Sequence, residues 1–219
     1  MNPRPVANLR ESLEKRLTAY AVAASAAGVG LLAWPQPALA RIIYTKTHTI
    51  LPVQLDLNHD GITDYLLNFS NGSYGDFAAS VMGEPGNLVA GYGRLSSRGW
   101  ASALAPKGRV GPNQRFGSYR FMFFGYCSRA EPCDGEGPWF NAQNRYLGFQ
   151  FLIKGQIHYG WARLSVSVSR TTYVVLTGYA YETVPGKPLV TGKTKGPDVI
   201  TLEPGTLGQL ARGASAIQK

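Results

Sequence analysis

The sequence predicts an all-β fold: a two-layer antiparallel β-sandwich, jelly-roll-like, with an N-terminal signal helix and a short C-terminal tail. Apolar and polar residues alternate with a period of two in several segments, as they do in strands with one buried face. The 219-residue chain contains 26 Gly and 14 Pro, which favour short strands joined by turns over long helices. No internal repeat of roughly 20–50 residues is present in the sequence, so a propeller or a solenoid is not expected.

Residues 1–40 have the features of a signal peptide. A basic leader precedes an uncharged apolar run at residues 17–33. The small residues Ala38 and Ala40 fit the pocket of a signal peptidase, which predicts cleavage after Ala40. The alternative is a retained membrane anchor, although the run is shorter than the roughly 20 residues that span a bilayer. Export predicts a secreted, periplasmic or cell-surface protein with no stable membrane span after cleavage.

The remaining chain divides into a β-sandwich domain at 41–191 and a linker with a C-terminal tail at 192–219. Residues 96–118 and 127–145 are expected to form long surface loops, and a short amphipathic helix is predicted at 207–214. The predicted strands are 42–51, 64–69, 77–82, 88–95, 119–126, 147–154, 157–161, 162–169 and 173–182.

The clearest alternation lies at residues 162–169, where four apolar residues face one way and Arg163 with three serines faces the other. Tyr159 and Trp161 alternate in the opposite phase, which predicts a bulge at Gly160 that swaps the two faces. A tight hairpin turn is predicted at Gly155-Gln156.

The chain has two cysteines, Cys127 and Cys133. Together with an export signal they predict a disulfide that fixes a short local loop. A thiol redox site is not favoured, because five residues rather than two separate the cysteines. The three histidines are far apart in sequence and do not form a zinc set with the cysteines.

The chain is basic, with 22 Lys+Arg against 13 Asp+Glu and a net charge of +9. After the leader, the positive residues are scattered singly along the chain. This pattern favours a role in solubility, and no nucleic-acid partner is expected.

The segment 56–64, DLNHDGITD, carries oxygen-bearing side chains at its positions 1, 3, 5 and 9 and glycine at position 6. Calcium prefers six to eight oxygen ligands, and alternate positions of a turning loop can direct several oxygens to one centre. The predicted Ca²⁺ ligands are the side chains of Asp56, Asn58, Asp60 and Asp64 and the carbonyl of Ile62. The ion would be structural, because it would neutralise three crowded carboxylates.

This loop is not an EF-hand, because position 12 is Leu67 rather than glutamate and the flanking segments read as strands. Leu57 and His59 are expected to point away from the ion. The alternative to calcium is a solvated hairpin turn, for which Asn, Asp and Gly are also the favoured residues.

The loop resembles the calcium loops of FG-GAP repeats, of which the chain has one copy. A wider resemblance rests on the same loop, on HYGWARL at 158–164 and on GYAYE at 178–182. These motifs resemble exported bacterial proteins of the PEP-CTERM type. The resemblance implies a sandwich fold and a structural role in the cell envelope or the extracellular matrix, without a known reaction. The closing arginine cluster of that family is absent here, so enzymatic sorting through the tail is not expected.

No catalytic set is identified, and the chain is not expected to be an enzyme. The sequence lacks a Gly-x-Ser-x-Gly turn. A glycan hydrolase would instead need two carboxylates at a suitable spacing. Asp134 and Glu136 are the nearest candidates, but they lie in the predicted disulfide loop.

Trp100 and Trp139 lie in predicted loops and are candidate ligand-binding residues, because aromatic faces on loops often hold sugar rings. The alternative is core packing, which is favoured for Trp139 and more strongly for Trp161. A carbohydrate-binding module, with envelope or extracellular glycans as partners, is therefore the second functional hypothesis. A glycan hydrolase is the third and weakest.

Overall fold

The structure, a computed structural model, describes residues 40–72, 75–93, 99–128 and 132–203. The predicted signal peptide, apart from its last residue, and the predicted helix at 207–214 lie outside these ranges. None of the described residues belongs to a helix with the length and hydrophobicity needed to cross a membrane.

The described residues form fifteen strands. Their bounds are β1 (Ile42–Ile50), β2 (Val53–Leu55), β3 (Tyr65–Asn71), β4 (Asp76–Gly83), β5 (Leu88–Tyr92), β6 (Trp100–Ala101), β7 (Arg109–Val110), β8 (Phe116–Gly117), β9 (Tyr119–Tyr126), β10 (Asp134–Glu136), β11 (Arg145–Ile153), β12 (Gln156–Ser167), β13 (Tyr173–Glu182), β14 (Leu189–Val190) and β15 (Val199–Leu202). The long strands match the predicted ones closely, whereas the short strands fall mainly in segments predicted as loops or linker.

The strands form a β-sandwich, as predicted. Sheet A has the order β15-β1-β13-β12-β11-β5, with β8 also paired to β5. Sheet B has the order β5-β6-β9-β4-β3-β2, with β10 also paired to β9. Strand β5 belongs to both, since it pairs with β11 through Leu88 and Val89 and with β6 through Gly91 and Tyr92. The hydrogen bonds therefore continue from one layer into the other.

Two strand pairs depart from the predicted antiparallel pattern. Strand β15 runs parallel to β1, and β6 runs parallel to β9. Because β15 joins sheet A, the predicted domain end at residue 191 is too early. Val199 and Ile200 are β-branched residues suited to a strand, although the Lys-, Gly- and Pro-rich residues before them favoured a linker.

The main core lies between the two sheets. Leu67 and Val81 of sheet B pack with Phe149 and Leu164 of sheet A in one buried cluster. The ring of Tyr65 stacks on Phe149 at a centroid distance of 4.2 Å. Its hydroxyl donates a hydrogen bond to the carbonyl of Gln150 at 2.9 Å, so a residue of sheet B is tied directly to the backbone of sheet A.

A second buried cluster covers the outer face of sheet A. Tyr159 and Trp161 on β12 pack there with Val110 of β7 and Leu189 of β14. Strands β7 and β14 pair with each other and form a small separate sheet. This part of the fold therefore has a partial third layer, which the two-layer prediction did not include.

The second cluster explains why the predicted bulge at Gly160 is wrong. Strand β12 pairs with β11 without interruption on both sides of Gly160. Tyr159 and Trp161 face the outer cluster, whereas Ala162 and Leu164 face the main core. The apolar residues change phase because burial passes from the outer face of β12 to its inner face. The backbone continues through Gly160 without a bulge. The irregular pairing lies between β12 and β13 instead, where Arg163 pairs with Gly178 and Leu164 with Leu176.

The hairpin between β11 and β12 turns one residue earlier than predicted. Ile153 pairs with Gln156, so the two turn residues are Lys154 and Gly155. Both have positive φ, at 50° and 77°, which is the conformation of a type I′ turn.

Arg120 is a buried cation inside sheet B. It lies opposite Val81, whose side chain is in the main core, and only 4 % of its surface is exposed. Within the described part of the chain, its Nε and Nη1 atoms have no hydrogen-bond partner. Burial lowers the pKa of its guanidinium. A buried charge with two nitrogens that lack hydrogen-bond partners is unfavourable for folding.

We therefore expect Arg120→Met to raise the free energy of unfolding by about 1–3 kcal/mol, because an apolar side chain of similar length needs no desolvation of charge. Urea denaturation measures this. Arg163→Met is the control and should be destabilising, because Arg163 Nε donates to Thr177 Oγ1 at 2.7 Å. A clear loss of stability in Arg120→Met would show that the guanidinium makes a stabilising interaction.

Candidate functional site

The predicted calcium loop, residues 56–64, connects β2 to β3. The two strands pair as a hairpin, with Leu55 opposite Tyr65. Leu57 is completely buried and belongs to the main core. An apolar anchor at the second position therefore fixes the start of the loop, while Asp56 and Asn58 on either side of it are half-buried.

Asp56 organises the backbone of the loop. Its Oδ1 atom accepts hydrogen bonds from the amides of His59 at 2.7 Å and Asp60 at 3.2 Å. Its Oδ2 atom accepts one from Gly61 at 2.8 Å. His59 and Gly61 both have positive φ, at 65° and 87°, and glycine adopts this conformation without strain. The chain thus curls around the first carboxylate of the motif.

Asn58 and Asp60 join the same arrangement. Asn58 Oδ1 accepts from the Asp60 amide at 3.2 Å, and Asn58 Nδ2 donates to Asp60 Oδ2 at 3.0 Å. Asp60 Oδ1 accepts from the amide of Ile62 at 2.9 Å. The side chain of Ile62 is exposed. The structure therefore brings three of the predicted ligand side chains, those of Asp56, Asn58 and Asp60, into one hydrogen-bonded turn.

Asp64 lies at the buried end of the loop and has a different environment. Its Oδ2 atom accepts from the amide of Leu57 at 2.8 Å, and its Oδ1 atom accepts from Asn87 Nδ2 at 3.1 Å. Burial raises the pKa of Asp64 to about 6, and the charges of Asp56 and Asp60 raise it further, against the lowering effect of its hydrogen bonds. The fourth predicted ligand side chain is thus bonded to the loop backbone and to Asn87.

The oxygen-bearing side chains of the loop are the kind of ligand that a hard cation prefers. They do not form a complete metal centre in the structure. Within the described ranges, no group of three or more His, Cys, Asp or Glu side chains has the arrangement of a metal site. Each carboxylate or amide oxygen has two lone pairs and can accept a hydrogen bond while it binds an ion. Asp56, Asn58 and Asp60 would hold the ion together with the Ile62 carbonyl, and Asp64 would have to share or exchange its present partners.

The negative charge of the loop is not balanced by nearby bases in the described part of the chain. The ion pairs found there, Lys187–Glu182 and Lys193–Asp198, lie elsewhere. The charges of Asp56, Asp60 and Asp64 all contribute to the raised pKa of Tyr181, after the larger effect of burial. A cation at the loop would relieve this repulsion.

His59 holds the loop against sheet A. Its Nε2 atom lies 2.7 Å from Thr45 Oγ1, and its ring lies 5.6 Å from that of Tyr179. Burial lowers the pKa of His59, against the opposing effect of Asp56. A surface cleft of about 550 Å³ beside the loop is lined in part by Asp56, His59 and Tyr179. Leu57 packs in the main core, and the His59 ring packs beside Tyr179.

The raised pKa of Asp64 predicts a pH effect in the chain without calcium. An unfolded aspartate has a pKa of about 3.9, so the folded chain holds this proton more tightly than the unfolded chain. The stability that Asp64 contributes is therefore fully present below about pH 4 and is lost as the pH rises through about 6. With a chelator present, we expect the melting temperature of the wild type to fall relative to that of Asp64→Asn as the pH rises from 4.5 to 7.5.

Asp76→Asn, at an exposed aspartate on β4, is the control for this experiment and should follow the wild type. A constant difference in melting temperature between wild type and Asp64→Asn across the pH range would contradict the assignment.

The two candidate sugar-binding tryptophans have different environments. Trp139 is completely buried in the main core, and its Nε1 atom donates to the carbonyl of Ala101 at 3.1 Å. The prediction that it is a ligand-binding residue is therefore wrong in this structure, and the alternative of core packing holds. Trp100 is half-buried on the short strand β6 and stacks on Phe124 at a centroid distance of 5.6 Å.

The predicted disulfide between Cys127 and Cys133 is present. It lies between the end of β9 and the start of β10, which pair as a hairpin. Asp134 and Glu136 were predicted to lie in a loop, but they are on β10 and share one face of the sheet. Only the pairing with β9 reveals this, because three residues with a central glycine give no strand pattern.

Comparisons of this chain with protein-family models, with curated proteins and with solved structures found no match.

Proposed function

We propose that this chain is an exported β-sandwich protein that one calcium ion stabilises, with a structural or binding role at the cell envelope or outside the cell. We assign no reaction to it. The observation that carries the proposal is the turn of residues 56–64, in which Asp56 accepts three backbone hydrogen bonds while Asn58 and Asp60 bond to the same turn. This conformation presents several oxygens on a short loop without a neutralising base among the described residues.

Export is supported by two independent features. The leader at 1–40 has the order of charge, apolar run and small residues that signal peptides share. The Cys127–Cys133 disulfide is compatible with an oxidising compartment outside the cytoplasm. Extracellular calcium is abundant enough to fill even a weak site, with a Kd of about 10⁻⁴ to 10⁻³ M. The resemblance to exported bacterial proteins of the PEP-CTERM type favours the same location.

A carbohydrate-binding module is the second candidate function. Trp100 favours it, because this ring is partly exposed and stacked on a second aromatic ring, Phe124, at the surface of sheet B. Aromatic faces of this kind contact the apolar faces of sugar rings.

The export proposal is tested by expressing the full chain in a bacterial host and determining its amino terminus and its location. We expect an amino terminus at Arg41, recovery outside the cytoplasm, and oxidised Cys127 and Cys133. An intact amino terminus in the membrane fraction would contradict cleavage and favour the anchor. An intact, reduced chain in the cytoplasm would contradict export itself.

A further inference from the structure

Asn87 joins the end of the loop at residues 56–64 to sheet A. It is the last residue of the turn between β4 and β5, and only 6 % of its surface is exposed. Its Nδ2 atom donates to Oδ1 of Asp64 at 3.1 Å and lies 3.3 Å from the carbonyl oxygen of the same residue. Its Oδ1 atom accepts from the amide of Leu152, on β11, at 3.0 Å. One buried side chain therefore bonds both the last carboxylate of the loop and the backbone of sheet A.

The turn that carries Asn87 is itself fixed on both sides. The Asn87 amide donates to the carbonyl of Glu84 at 2.8 Å, and the Glu84 amide donates to the carbonyl of Asp64 at 2.9 Å. Gly86 has a φ of 91°, which favours glycine, and a Cβ atom there would lie 2.7 Å from Cδ1 of Leu152. The turn thus packs directly against Leu152 while it is bonded to Asp64, so the Asn87 side chain has little freedom to rotate.

The carboxylate of Asp64 keeps the capacity to bind an ion in this arrangement. Its Oδ1 atom accepts from Asn87 and its Oδ2 atom accepts from the Leu57 amide. A carboxylate oxygen has two lone pairs, so each oxygen can still contact a cation. A surface cleft of about 460 Å³ is lined in part by Asp60, Asp64 and Asn87. Asp64 therefore shares a solvent-accessible space with Asp60, one of the three predicted ligand side chains in the turn.

The bond between Asn87 and Asp64 has one of two effects on a bound ion, and their signs are opposite. If Asp64 had to leave Asn87 to reach the ion, the bond would weaken calcium binding and its removal would tighten it. If Asp64 binds the ion while it stays bonded, Asn87 holds the carboxylate in place and its removal weakens binding. The second case fits the structure better, because Asn87 and the Leu57 amide hold Asp64 at the wall of the cleft and leave lone pairs on both oxygens.

We infer that Asn87 is a positioning residue for the proposed calcium site: it holds the Asp64 carboxylate for the ion and links that carboxylate to Leu152 of sheet A. This inference deepens the proposed function and rests on it. Residues that hydrogen-bond to a metal ligand orient that ligand, and their loss typically weakens metal binding by roughly 10- to 100-fold. Because one amide group of Asn87 makes both bonds, a change in the position of Asp64 also alters the bond to the Leu152 amide.

The test is a calcium titration of the full chain, followed by two-dimensional NMR of the backbone amides. In the wild type we expect the amides of Gly61 and Leu152 to shift with the same calcium dependence. Asn87→Ala should raise the Kd measured at Gly61 by about tenfold or more, and it should abolish the shift at Leu152. Asn141→Ala is the matched control, because Asn141 Oδ1 also accepts a hydrogen bond from a backbone amide, that of Val168, at 3.0 Å. This control should lose stability and keep the wild-type Kd.

An unchanged or lower Kd in Asn87→Ala would overturn this inference alone and leave the calcium proposal intact. An equally raised Kd in Asn141→Ala would also overturn it, because it would show a general effect of lost stability. If Asn87→Ala does not fold, the wild type still decides: a calcium response at Gly61 without one at Leu152 would overturn the inference. No response to calcium at any amide of the wild type would contradict the proposed calcium site itself, and this inference with it.

Discussion

Trp139→Ala is expected to lower the free energy of unfolding by about 3–5 kcal/mol, the usual range for removing a large buried aromatic side chain. Trp139 is completely buried between the two sheets. Its replacement leaves a cavity and also removes the hydrogen bond to the carbonyl of Ala101, which then lacks a buried partner. Urea denaturation, followed by tyrosine and tryptophan fluorescence, measures the change.

Trp100→Ala is the matched control, since Trp100 is only half-buried and lies on the outer face of sheet B. We expect its loss of stability to be clearly smaller than that of Trp139→Ala. A larger loss of stability in Trp100→Ala than in Trp139→Ala would contradict the burial of Trp139 in the main core.

Calcium is expected to raise the melting temperature of the full chain by about 5–10 °C at a concentration one hundred times its Kd. A ligand that binds only the folded state at this excess adds about 2.7 kcal/mol, and each kcal/mol shifts the melting temperature of a chain of this size by about 2–4 °C. Asp60→Asn should remove most of the shift, because it takes one charge from the turn that Asp56 organises. Scanning calorimetry with calcium and with chelator measures both.

Asp76→Asn is the control for the calcium effect, since Asp76 is an exposed aspartate on β4 outside the loop. It should keep the full shift. An equal shift in wild type and Asp60→Asn would place any calcium effect elsewhere on the molecule.

The long strands could be predicted because their pattern is local. Strand β13, at Tyr173–Glu182, was predicted with the same bounds, and so was β9 at Tyr119–Tyr126. Each is rich in β-branched or aromatic residues, and turn residues mark the ends. Period-two alternation reports burial on one face directly, so the fold class follows from it.

The second buried cluster could not be predicted in the same way. Trp161 and Tyr159 are covered by Val110 and Leu189, which are far away in sequence and lie on two-residue strands. Alternation shows that a face is buried but not what buries it. A change of phase at Gly160 could therefore be read as a bulge, although it is a second buried face. The burial of Trp139 in a segment rich in turn residues depends on the same kind of distant contact.

The loop at residues 56–64 shows the same division. The turn around Asp56, Asn58 and Asp60 could be predicted, because these side chains accept hydrogen bonds from backbone amides only two to five residues away. The position of Asp64 could not, since its partner Asn87 is 23 residues further along the chain. The spacing of oxygen-bearing residues can predict a local turn, whereas the bond between Asp64 and Asn87 depends on tertiary packing.

Titration of the full chain with calcium by isothermal calorimetry tests the central claim most directly. We predict one ion bound per chain with a Kd of about 10⁻³ M or tighter, and loss of this binding in Asp56→Asn, which alters the carboxylate around which the turn is built. No heat of binding at millimolar calcium, together with an unchanged melting temperature, would contradict the account.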